Sequence, residues 1–367
     1  MIKICHITTV HPYNDERIFN KECLSLLNAG YEVSLIAKYK EDCTLEGIKI
    51  SALPVKKNRF YRFFLQIEAL IKAFKLKAQV YHFHDPELMF AGVVLKIFGK
   101  RVIYDVHEDI VKQVLYKAWI RPALLRRILS GLIYFVEQFC TLFFDRIVVV
   151  TADISKKFSP HKTVMVCNYP VLSQIDQAEL DTKKTHENIT RLIYAGGLTE
   201  IRGIREIISS LSHIRYETEL ILLGEWESDT YKGECMKLPG WEKVKYIGKV
   251  IPEAVYPYIK SSDIGLSMLY PAKNYLTSLP VKAFEYMACS KPFIMSDFDY
   301  WEEVFTGAAL FCDPKDIEGI ARCAEQLIAD KNMAAGMGRK GRQLIEEKYT
   351  WEKERVHLIN MYHDILK

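Results

Sequence analysis

The sequence predicts two doubly wound α/β domains, each built on a mainly parallel β-sheet with helices on both faces. Short apolar runs rich in β-branched residues alternate with amphipathic helical stretches from end to end. Such runs are typical of strands buried on both faces of a parallel sheet. The alternation occurs twice, and 367 residues exceed the size of one ordinary core.

The first domain is predicted over residues 1–170, because the alternation pauses after Asn168-Tyr169-Pro170 and a polar segment follows at 173–190. Its seven predicted strands cover residues 3–8, 32–37, 49–52, 80–84, 101–105, 146–151 and 163–166. The second domain is predicted over 171–350, with six strands at 191–194, 219–223, 244–246, 264–268, 292–296 and 309–311. A last helix is predicted over 351–367.

The bulk composition indicates a globular protein of the cytoplasm. Hydrophobic residues make up 49% and charged residues 26% of the chain, as in ordinary soluble proteins. The nine cysteines include no Cys-x-x-Cys pair, and no His/Cys cluster has metal-ligand spacing, so we expect reduced thiols and no bound metal. The N-terminal residues enter a strand at once, so no signal peptide is expected.

Charge is divided unequally along the chain. Residues 1–170 contain 25 Lys and Arg against 16 Asp and Glu, whereas residues 171–367 contain 25 against 30, so the halves carry +9 and −5. We therefore expect the first domain to face an anionic partner. Nucleic acid is not expected, because no recognition motif accompanies the charge.

Two stretches of the first domain combine basic and bulky apolar residues. The first runs from 56 to 77 and contains Lys56, Lys57, Arg59, Arg62, Lys72, Lys75 and Lys77, interleaved with Phe60, Tyr61, Phe63, Phe64 and Phe74. The second, at 119–144, begins with Trp119 and adds Arg121, Arg126 and Arg127. A basic, aromatic surface fits peripheral contact with an anionic membrane. The alternative is that the apolar residues are the buried sides of ordinary helices.

The segment 278–294 is the most informative part of the chain. A turn holding Ser278 and Pro280 opens a helix, and Glu285 lies about two turns inside it. A helix start offers unpaired N–H groups and a positive dipole end to a phosphate, and a carboxylate further along can accept hydrogen bonds from a ribose. The alternative is an ordinary capped helix packed on a sheet.

A second predicted anion site follows the first strand of the second domain. This strand ends in Gly196-Gly197, and Arg202 precedes the next helix. Glycines let the backbone approach a ligand, and a guanidinium can fork onto a diphosphate. The alternative is a helix-start arginine on the surface.

Three loops of the first domain carry candidate polar residues at predicted strand ends, where doubly wound sheets bind ligands. His84 and Asp85 end one strand, with Pro86 turning the chain, and His107 follows the next strand. Asp85 also fits a helix cap, and a lone histidine also fits a structural role. The loop after the first strand has Asn14-Asp15-x-Arg17 and lacks Gly-x-Gly-x-x-Gly, which disfavours a dinucleotide oxidoreductase.

Together these motifs resemble family 4 glycosyltransferases over essentially the whole chain. The resemblance implies the GT-B architecture, two Rossmann-like domains facing a cleft, with the C-terminal helix crossing back onto the first domain. It implies a metal-independent, retaining transferase without a cofactor, using a UDP- or GDP-sugar as donor. The acceptor is expected to be a glycan or lipid-linked glycan in surface polysaccharide synthesis.

The resemblance also assigns roles to residues. Glu285 matches the second glutamate of the family pair and is expected to hold the ribose, whereas Thr277 replaces the first, as in a branch of the family that lacks it. Gly197 stands where an arginine is common in the family, and Arg202 stands where a lysine is common, so that second positive charge is kept. In the loop after the first strand, Asn14-Asp15-x-Arg17 replaces a glycine pair that many members have, so acceptor recognition is expected to differ. The predicted donor-binding residues are Gly196, Gly197, Arg202, Val250, Ser278, Pro280, Lys282 and Glu285. The predicted catalytic residues are Arg202, His107 and Asp85.

Lys282 is equally compatible with phosphate contact and with a solvated surface position.

Two other functions of the protein remain compatible with the sequence. The changes at Thr277 and Gly197 favour a non-catalytic nucleotide-sugar-binding subunit as one alternative. A GT-B sugar-nucleotide epimerase, which needs no acceptor, is the other.

Overall fold

The computed structural model of the protein describes residues 1–55, 61–116, 120–179 and 189–367, with the backbone alone for 61–63, 116, 273 and 274. The described chain divides into two compact units. One comprises Met1–Asn168 together with Trp351–Lys367, and the other comprises Tyr169–Thr350. The first unit thus ends two residues before the boundary expected at 170.

Each of the thirteen predicted strands corresponds to a strand of the structure. The strands are β1 (Lys3–Pro12), β2 (Glu32–Lys38), β3 (Cys43–Leu45), β4 (Ile48–Leu53), β5 (Val80–Phe83), β6 (Arg101–Val106), β7 (Arg146–Val149), β8 (Thr163–Met165), β9 (Thr190–Ala195), β10 (Thr218–Leu223), β11 (Val244–Gly248), β12 (Ile264–Ser267), β13 (Phe293–Ser296) and β14 (Ala309–Cys312). Among the strands of the described residues, only β3 was not predicted, and its pairing with β4 is antiparallel.

Helices connect the strands. They are α1 (Leu24–Asn28), α2 (Tyr61–Leu76), α3 (Met89–Ile97), α4 (Ile110–Tyr116), α5 (Ala123–Thr141), α6 (Ala152–Ser155), α7 (Leu172–Gln177), α8 (Ile204–Ser210), α9 (Asp229–Cys235), α10 (Val255–Ser261), α11 (Lys273–Leu276), α12 (Val281–Ala288), α13 (Asp299–Phe305), α14 (Ile317–Ala329), α15 (Lys331–Lys348) and α16 (Trp351–Leu366). A π-helix, Glu16–Cys23, precedes α1. Within the described residues, no helix has the length and apolar content needed to cross a bilayer.

Both sheets reverse their strand order at one point. The first has the order β3-β4-β2-β1-β5-β6-β7-β8, and the second has the order β11-β10-β9-β12-β13-β14. The topological switch point, at which successive connections begin to run in the opposite direction, lies between β1 and β5 in the first sheet and between β9 and β12 in the second. Ligands of doubly wound sheets bind outside the carboxyl ends of the strands at such points. The loops that follow these four strands are therefore the places to examine for a site.

The two faces of the first sheet differ in polarity. Side chains alternate along a strand, and in β1 and β5 the residues Cys5, Ile7, Tyr81 and Phe83 point into the apolar core. The alternate positions place histidines and an aspartate on the opposite face, namely His6, His82, His84 and Asp105, all buried. The π-helix and α16 contribute the side chains that meet this polar face.

The last helix packs on the first unit, as predicted. Trp351 Nε1 donates to Ser25 Oγ at 3.0 Å, and Glu354 Oε2 accepts from the Cys167 amide at 2.7 Å. Tyr362 is fully buried further along the same helix. These contacts give α16 a fixed place in the first unit and bring its Tyr362 hydroxyl to the polar face.

Candidate active site

Tight backbone packing shapes the carboxyl edge of the second sheet. Gly196 follows β9 with φ +140°, and Gly224 follows β10 with φ +148°. A Cβ atom on Gly224 would lie 1.8 Å from the Gly196 carbonyl oxygen. Only glycine fits at position 224, because both the space and the backbone conformation exclude a side chain.

Two cationic side chains converge on Gly196. A Cβ atom built there would lie 3.1 Å from Lys282 Nζ and 3.2 Å from Arg202 Nη1. Arg202 Nη1 also lies 3.5 Å from the Gly197 carbonyl oxygen. Burial lowers the pKa of Lys282 well below its usual value, the charge of Arg202 lowers it further, and Glu285 opposes the change. Positive charge is thus concentrated here, which is the arrangement that an anionic ligand stabilises.

An aromatic ring holds Lys282 in this position. Its Nζ lies 3.6 Å from the ring centroid of Tyr194, the distance of a cation–π contact. The Tyr194 hydroxyl donates to the Gly197 carbonyl oxygen at 3.1 Å. Lys282 is half-buried and directed towards the sheet edge, so the alternative of a solvated surface lysine is wrong.

Helix α12 begins beside these cations without a side-chain cap. Its N-cap is Pro280, in extended conformation, and no side-chain cap hydrogen bond forms there. The preceding turn is fixed by Trp301, whose Nε1 donates to the Ser278 carbonyl oxygen at 2.7 Å. The Ser278 hydroxyl turns back to the Tyr275 carbonyl oxygen at 3.4 Å. The Ala283 amide donates to the Pro280 carbonyl oxygen at 3.0 Å, whereas the proline ring at the N-cap leaves the Val281 and Lys282 amides uncapped.

The other two predicted donor residues lie on the same edge of the unit. Glu285 is half-buried and stands one turn inside α12, because the helix begins at Val281; the predicted depth of two turns was wrong. Val250 lies two residues beyond β11 and is partly buried against the core. Gly196, Gly197, Arg202 and Lys282 are thus in direct proximity, with Ser278, Pro280, Glu285 and Val250 on neighbouring loops and on α12.

In the first unit, Asp85 binds the loop that follows β1. Its Oδ2 accepts from the hydroxyls of Thr8 and Thr9 at 3.0 and 3.1 Å, and from the amide of Val10 at 3.2 Å. The Thr9 amide donates to the same oxygen. Asp85 is 2% exposed and makes no cap hydrogen bond to the turn that follows. The helix-cap alternative is therefore wrong, and the carboxylate positions the β1 loop.

His107 lies at the carboxyl end of β6 and is paired with buried groups. Its Nε2 is 3.0 Å from Asp105 Oδ2 and 3.1 Å from His84 Nδ1, and 19% of its side chain is exposed. The His11 ring lies 5.7 Å from it. A carboxylate at one ring nitrogen fixes the imidazole and its tautomer, so His107 is a partly accessible, oriented histidine.

Arg17 has a structural role that the sequence did not reveal. Its Nε and Nη2 bind the two oxygens of Asp105 at 3.1 and 3.2 Å, and its side chain is 4% exposed. Burial alone would raise the pKa of Asp105, but Arg17 and then His107 hold it well below the usual range. The expectation that the Asn14–Arg17 loop alters acceptor recognition has no support from Arg17, which faces inward.

His11 is a candidate that the sequence analysis did not select. Its Nδ1 lies 2.9 Å from Asp15 Oδ2 and its Nε2 lies 3.8 Å from Asp85 Oδ1. Burial opposes the charged imidazole, but the hydrogen bond and charge of Asp15 outweigh it, so the pKa of His11 is raised. The spacing of His11 and Asp15 was visible in the sequence; the contact with Asp85 was not.

The sequence of the second unit matches the model of a known protein family. Residues 176–344 fit the family model for glycosyl transferases, group 1. The matched residues make up most of the second unit, so this unit is similar to the group 1 glycosyl transferases. The match contains Gly196, Arg202, Lys282 and Glu285. The expected resemblance to nucleotide-sugar-dependent glycosyltransferases is thereby confirmed.

A curated relative supports this assignment. The chain is 25% identical over 181 residues to an N-acetyl-alpha-D-glucosaminyl L-malate synthase of Bacillus anthracis. The aligned part is 48% of this chain and 46% of the relative. The chain thus spans about half the length of the curated relative that it matches.

Solved structures establish the fold of the chain. Sucrose-phosphate synthase from Thermosynechococcus elongatus aligns with 100% of the chain and 99% of its own, at 15% identity and a TM-score of 0.79. Anabaena HepE, solved in complex with UDP and glucose, aligns with 99% of the chain and 100% of its own, at 10% identity and a TM-score of 0.75. The predicted GT-B architecture of two α/β domains is confirmed.

Proposed function

We propose that the protein is a retaining, metal-independent glycosyltransferase that moves a sugar from a UDP- or GDP-sugar to a glycan or lipid-linked glycan in surface polysaccharide synthesis. The observation that carries the proposal is the convergence of Arg202 and Lys282 on Gly196. The family match of the second unit and the UDP-bound structure of HepE support a nucleotide-sugar donor.

The donor's diphosphate fits the cationic edge of the second unit. A phosphate near Gly196 meets the Arg202 guanidinium, the Lys282 ammonium and the uncapped start of α12. Its negative charge also opposes the effects of burial and of Arg202, which lower the pKa of Lys282. Glu285, half-buried on the same helix, is placed to accept hydrogen bonds from the ribose hydroxyls, and Val250 to contact the base.

Catalysis in this proposal rests on stabilising the departing diphosphate. Negative charge grows on the leaving phosphate as the glycosidic bond breaks, and fixed cations stabilise that charge best in a site that needs no rearrangement. Arg202 and Lys282 supply two such cations without a metal. The leaving phosphate itself accepts the acceptor's proton on the same face, which retains the anomeric configuration.

The first unit takes the acceptor in this proposal. The loops after β1 and β5 lie at the reversal of its strand order, and His107, at the end of the neighbouring strand β6, is a partly exposed polar group beside them. We assign His107 to contact with the reacting sugar. Asp85 acts as a positioning residue, because its carboxylate is buried and occupied by Thr8, Thr9 and Val10.

Helix α5 supports a lipid-linked acceptor at a membrane surface. Six of its apolar side chains recur at helical spacing and are 51–71% exposed, namely Leu124, Ile128, Leu132, Phe135, Phe139 and, just past its end, Leu142. Arg121 and Arg127 are exposed near its start. An apolar stripe with cations beside it suits the interface of an anionic bilayer. Of the earlier stretch, residues 56–60 and Trp119 lie outside the described residues.

A panel of nucleotide sugars tests the proposal against its two rivals. The protein is incubated with UDP- and GDP-sugars with and without a lipid-linked acceptor extract, and released nucleotide and sugar products are measured by mass spectrometry. We expect nucleotide release that requires acceptor, and retained anomeric configuration in the product. An isomerised sugar nucleotide without acceptor would instead identify an epimerase, and binding without release would identify a non-catalytic subunit.

A further inference from the structure

Four buried side chains of the first unit direct donor atoms to a common point. They are His6 on β1, Glu22 on the π-helix, and His82 and His84 at the end of β5. His6 Nδ1 lies 2.9 Å from His84 Nε2. Glu22 Oε2 lies 3.7 Å from His6 Nδ1, 3.9 Å from His82 Nδ1 and 4.0 Å from His84 Nε2. All four side chains are fully buried.

Three of the four are held by groups on their far sides. Asp105 Oδ2 lies 3.3 Å from His84 Nδ1, which leaves Nε2 of that ring facing the common point. The Tyr362 hydroxyl lies 3.3 Å from His6 Nε2, which leaves Nδ1 facing inward. Arg17 Nε lies 3.0 Å from Glu22 Oε1. Outer partners of this kind orient the ligands of metal sites and fix the histidine tautomers.

Glu22 contributes a buried carboxyl group beside Arg17 and Asp105. Neither of its oxygens has a hydrogen-bond partner within the described part of the chain, although both are buried. Buried carboxylate oxygens without hydrogen bonds are costly unless a cation or an ion pair compensates them. Arg17 is the ion-pair partner beside Oε1, whereas Oε2 faces the three imidazoles.

We propose that His6, Glu22, His82 and His84 bind one zinc ion as a structural site of the first unit. Three imidazoles and one carboxylate are a typical tetrahedral ligand set for zinc. With metal–ligand distances of about 2.0–2.2 Å, tetrahedral donors stand about 3.3 Å apart. The four separations given above, 2.9–4.0 Å, bracket this value, and all four donor atoms lie within 4.8 Å of one another, so small movements of the side chains complete the site.

The charges of the surrounding groups are compatible with the ion. Glu22 and Asp105 are the acidic side chains beside Arg17, and a bound zinc ion favours the charged form of Glu22. The Tyr362 hydroxyl, 2.8 Å from His82 Nδ1, competes for that nitrogen and must turn to His6 when the metal binds. Because the four ligands are enclosed, the ion has no open position for a substrate and acts by stabilising the unit. This inference uses no residue of the proposed donor site and does not depend on the proposed function.

The metal content of untagged protein tests the proposal directly. Protein purified without a polyhistidine tag is analysed by elemental mass spectrometry, before and after dialysis against a chelator and then after return of zinc. We expect about one zinc per chain, its loss with chelator and its recovery. Zinc at about 100 times its dissociation constant should raise the Tm of the chelated protein by about 5–10 °C.

Two variants separate this site from adventitious zinc. Glu22→Gln keeps the size of the side chain and removes the anionic ligand, and His357→Gln removes an exposed histidine of α16 as the matched control. We expect the first to lose stoichiometric zinc and the second to keep it. Wild-type protein with less than about 0.2 zinc per chain and no change of Tm on adding zinc would overturn the proposal. The four residues would then form a metal-free hydrogen-bonded network.

Discussion

The ammonium group of Lys282 lies over the ring of Tyr194, 3.6 Å from its centroid. The contact joins α12 to the end of β9, and it aims a lysine at the backbone of Gly196. Without a ligand, this lysine stands beside Arg202, and burial and that neighbouring charge lower its pKa. The ring offsets part of the repulsion and keeps the lysine in place for a phosphate.

Replacing the ring should weaken nucleotide binding. Tyr194→Leu removes the cation–π contact, and since such contacts contribute about 0.5–2 kcal/mol, we expect nucleoside diphosphate affinity to fall about 2- to 30-fold. Tyr194→Phe keeps the ring and loses the hydroxyl, which bonds to the Gly197 carbonyl oxygen and to Arg202, and it should lose less affinity than Tyr194→Leu. Isothermal titration calorimetry measures both. An equal loss in the two variants would trace the effect to the hydroxyl.

Substitution of Gly224 should destabilise the second unit. An alanine there places Cβ 1.8 Å from the Gly196 carbonyl oxygen at φ +148°, so we expect a loss of about 2–4 kcal/mol in the free energy of unfolding. Gly233→Ala is the control, because that glycine lies in α9 with nothing within 4 Å of its Cβ position. It should stabilise by about 0.5–1 kcal/mol. Urea unfolding followed by circular dichroism distinguishes the two, and similar midpoints would refute the packing argument.

The His11–Asp15 pair predicts a pH-dependent contribution to stability. The pKa of His11 is raised above its ordinary value of 6.5, mainly by Asp15 acting against burial, with Asp85 and Glu108 adding to it. The charged pair therefore stabilises the folded state fully below pH 6.5 and loses that contribution as pH rises through the raised pKa. We expect His11→Gln to lower the urea midpoint at pH 6 and to have a smaller effect at pH 8.5. If the urea midpoints of His11→Gln and wild type differed by the same amount at pH 6 and at pH 8.5, this account would be contradicted.

The apolar stripe on α5 should mediate membrane attachment. Leu132→Glu combined with Phe135→Glu places two carboxylates where the side chains are 58% and 68% exposed, so folding should be preserved. We expect flotation with liposomes of anionic lipid to fall at least tenfold. Val356→Glu, at a 50% exposed position of α16, is the control and should float like wild type. Equal flotation of all three proteins at low salt would exclude the stripe as the attachment surface.

The sequence predicted the sheets better than the side-chain partners. The parallel strands leave apolar runs in the sequence, whereas β3, Cys43–Leu45, is a half-exposed edge strand between Asp42 and Glu46 that pairs antiparallel. Polar residues at strand ends were also identified, because the strand pattern itself locates them. Arg17 was misjudged because its partner, Asp105, lies 88 residues further on.

Long-range contacts also decided the details of the site. The direction of the Lys282 side chain depends on its contact with Tyr194, which lies in a different strand–helix segment. The sequence around Lys282 therefore does not predict that direction. The histidine cluster has the same origin. His82 and His84 are close in sequence, but His6 joins them only because β1 and β5 pair side by side, with His6 opposite His82.

The effect of Arg202→Ala on donor binding and turnover tests the central claim most directly. Arg215→Ala is the matched control, since Arg215 forms an ion pair with Glu325 and is 83% exposed. With unchanged Tm, we expect Arg202→Ala to weaken binding of the nucleoside diphosphate at least tenfold and to reduce turnover about 10²- to 10³-fold, and Arg215→Ala to match wild type. A folded Arg202→Ala protein that binds and turns over within twofold of wild type would contradict the assignment of this edge as the diphosphate site.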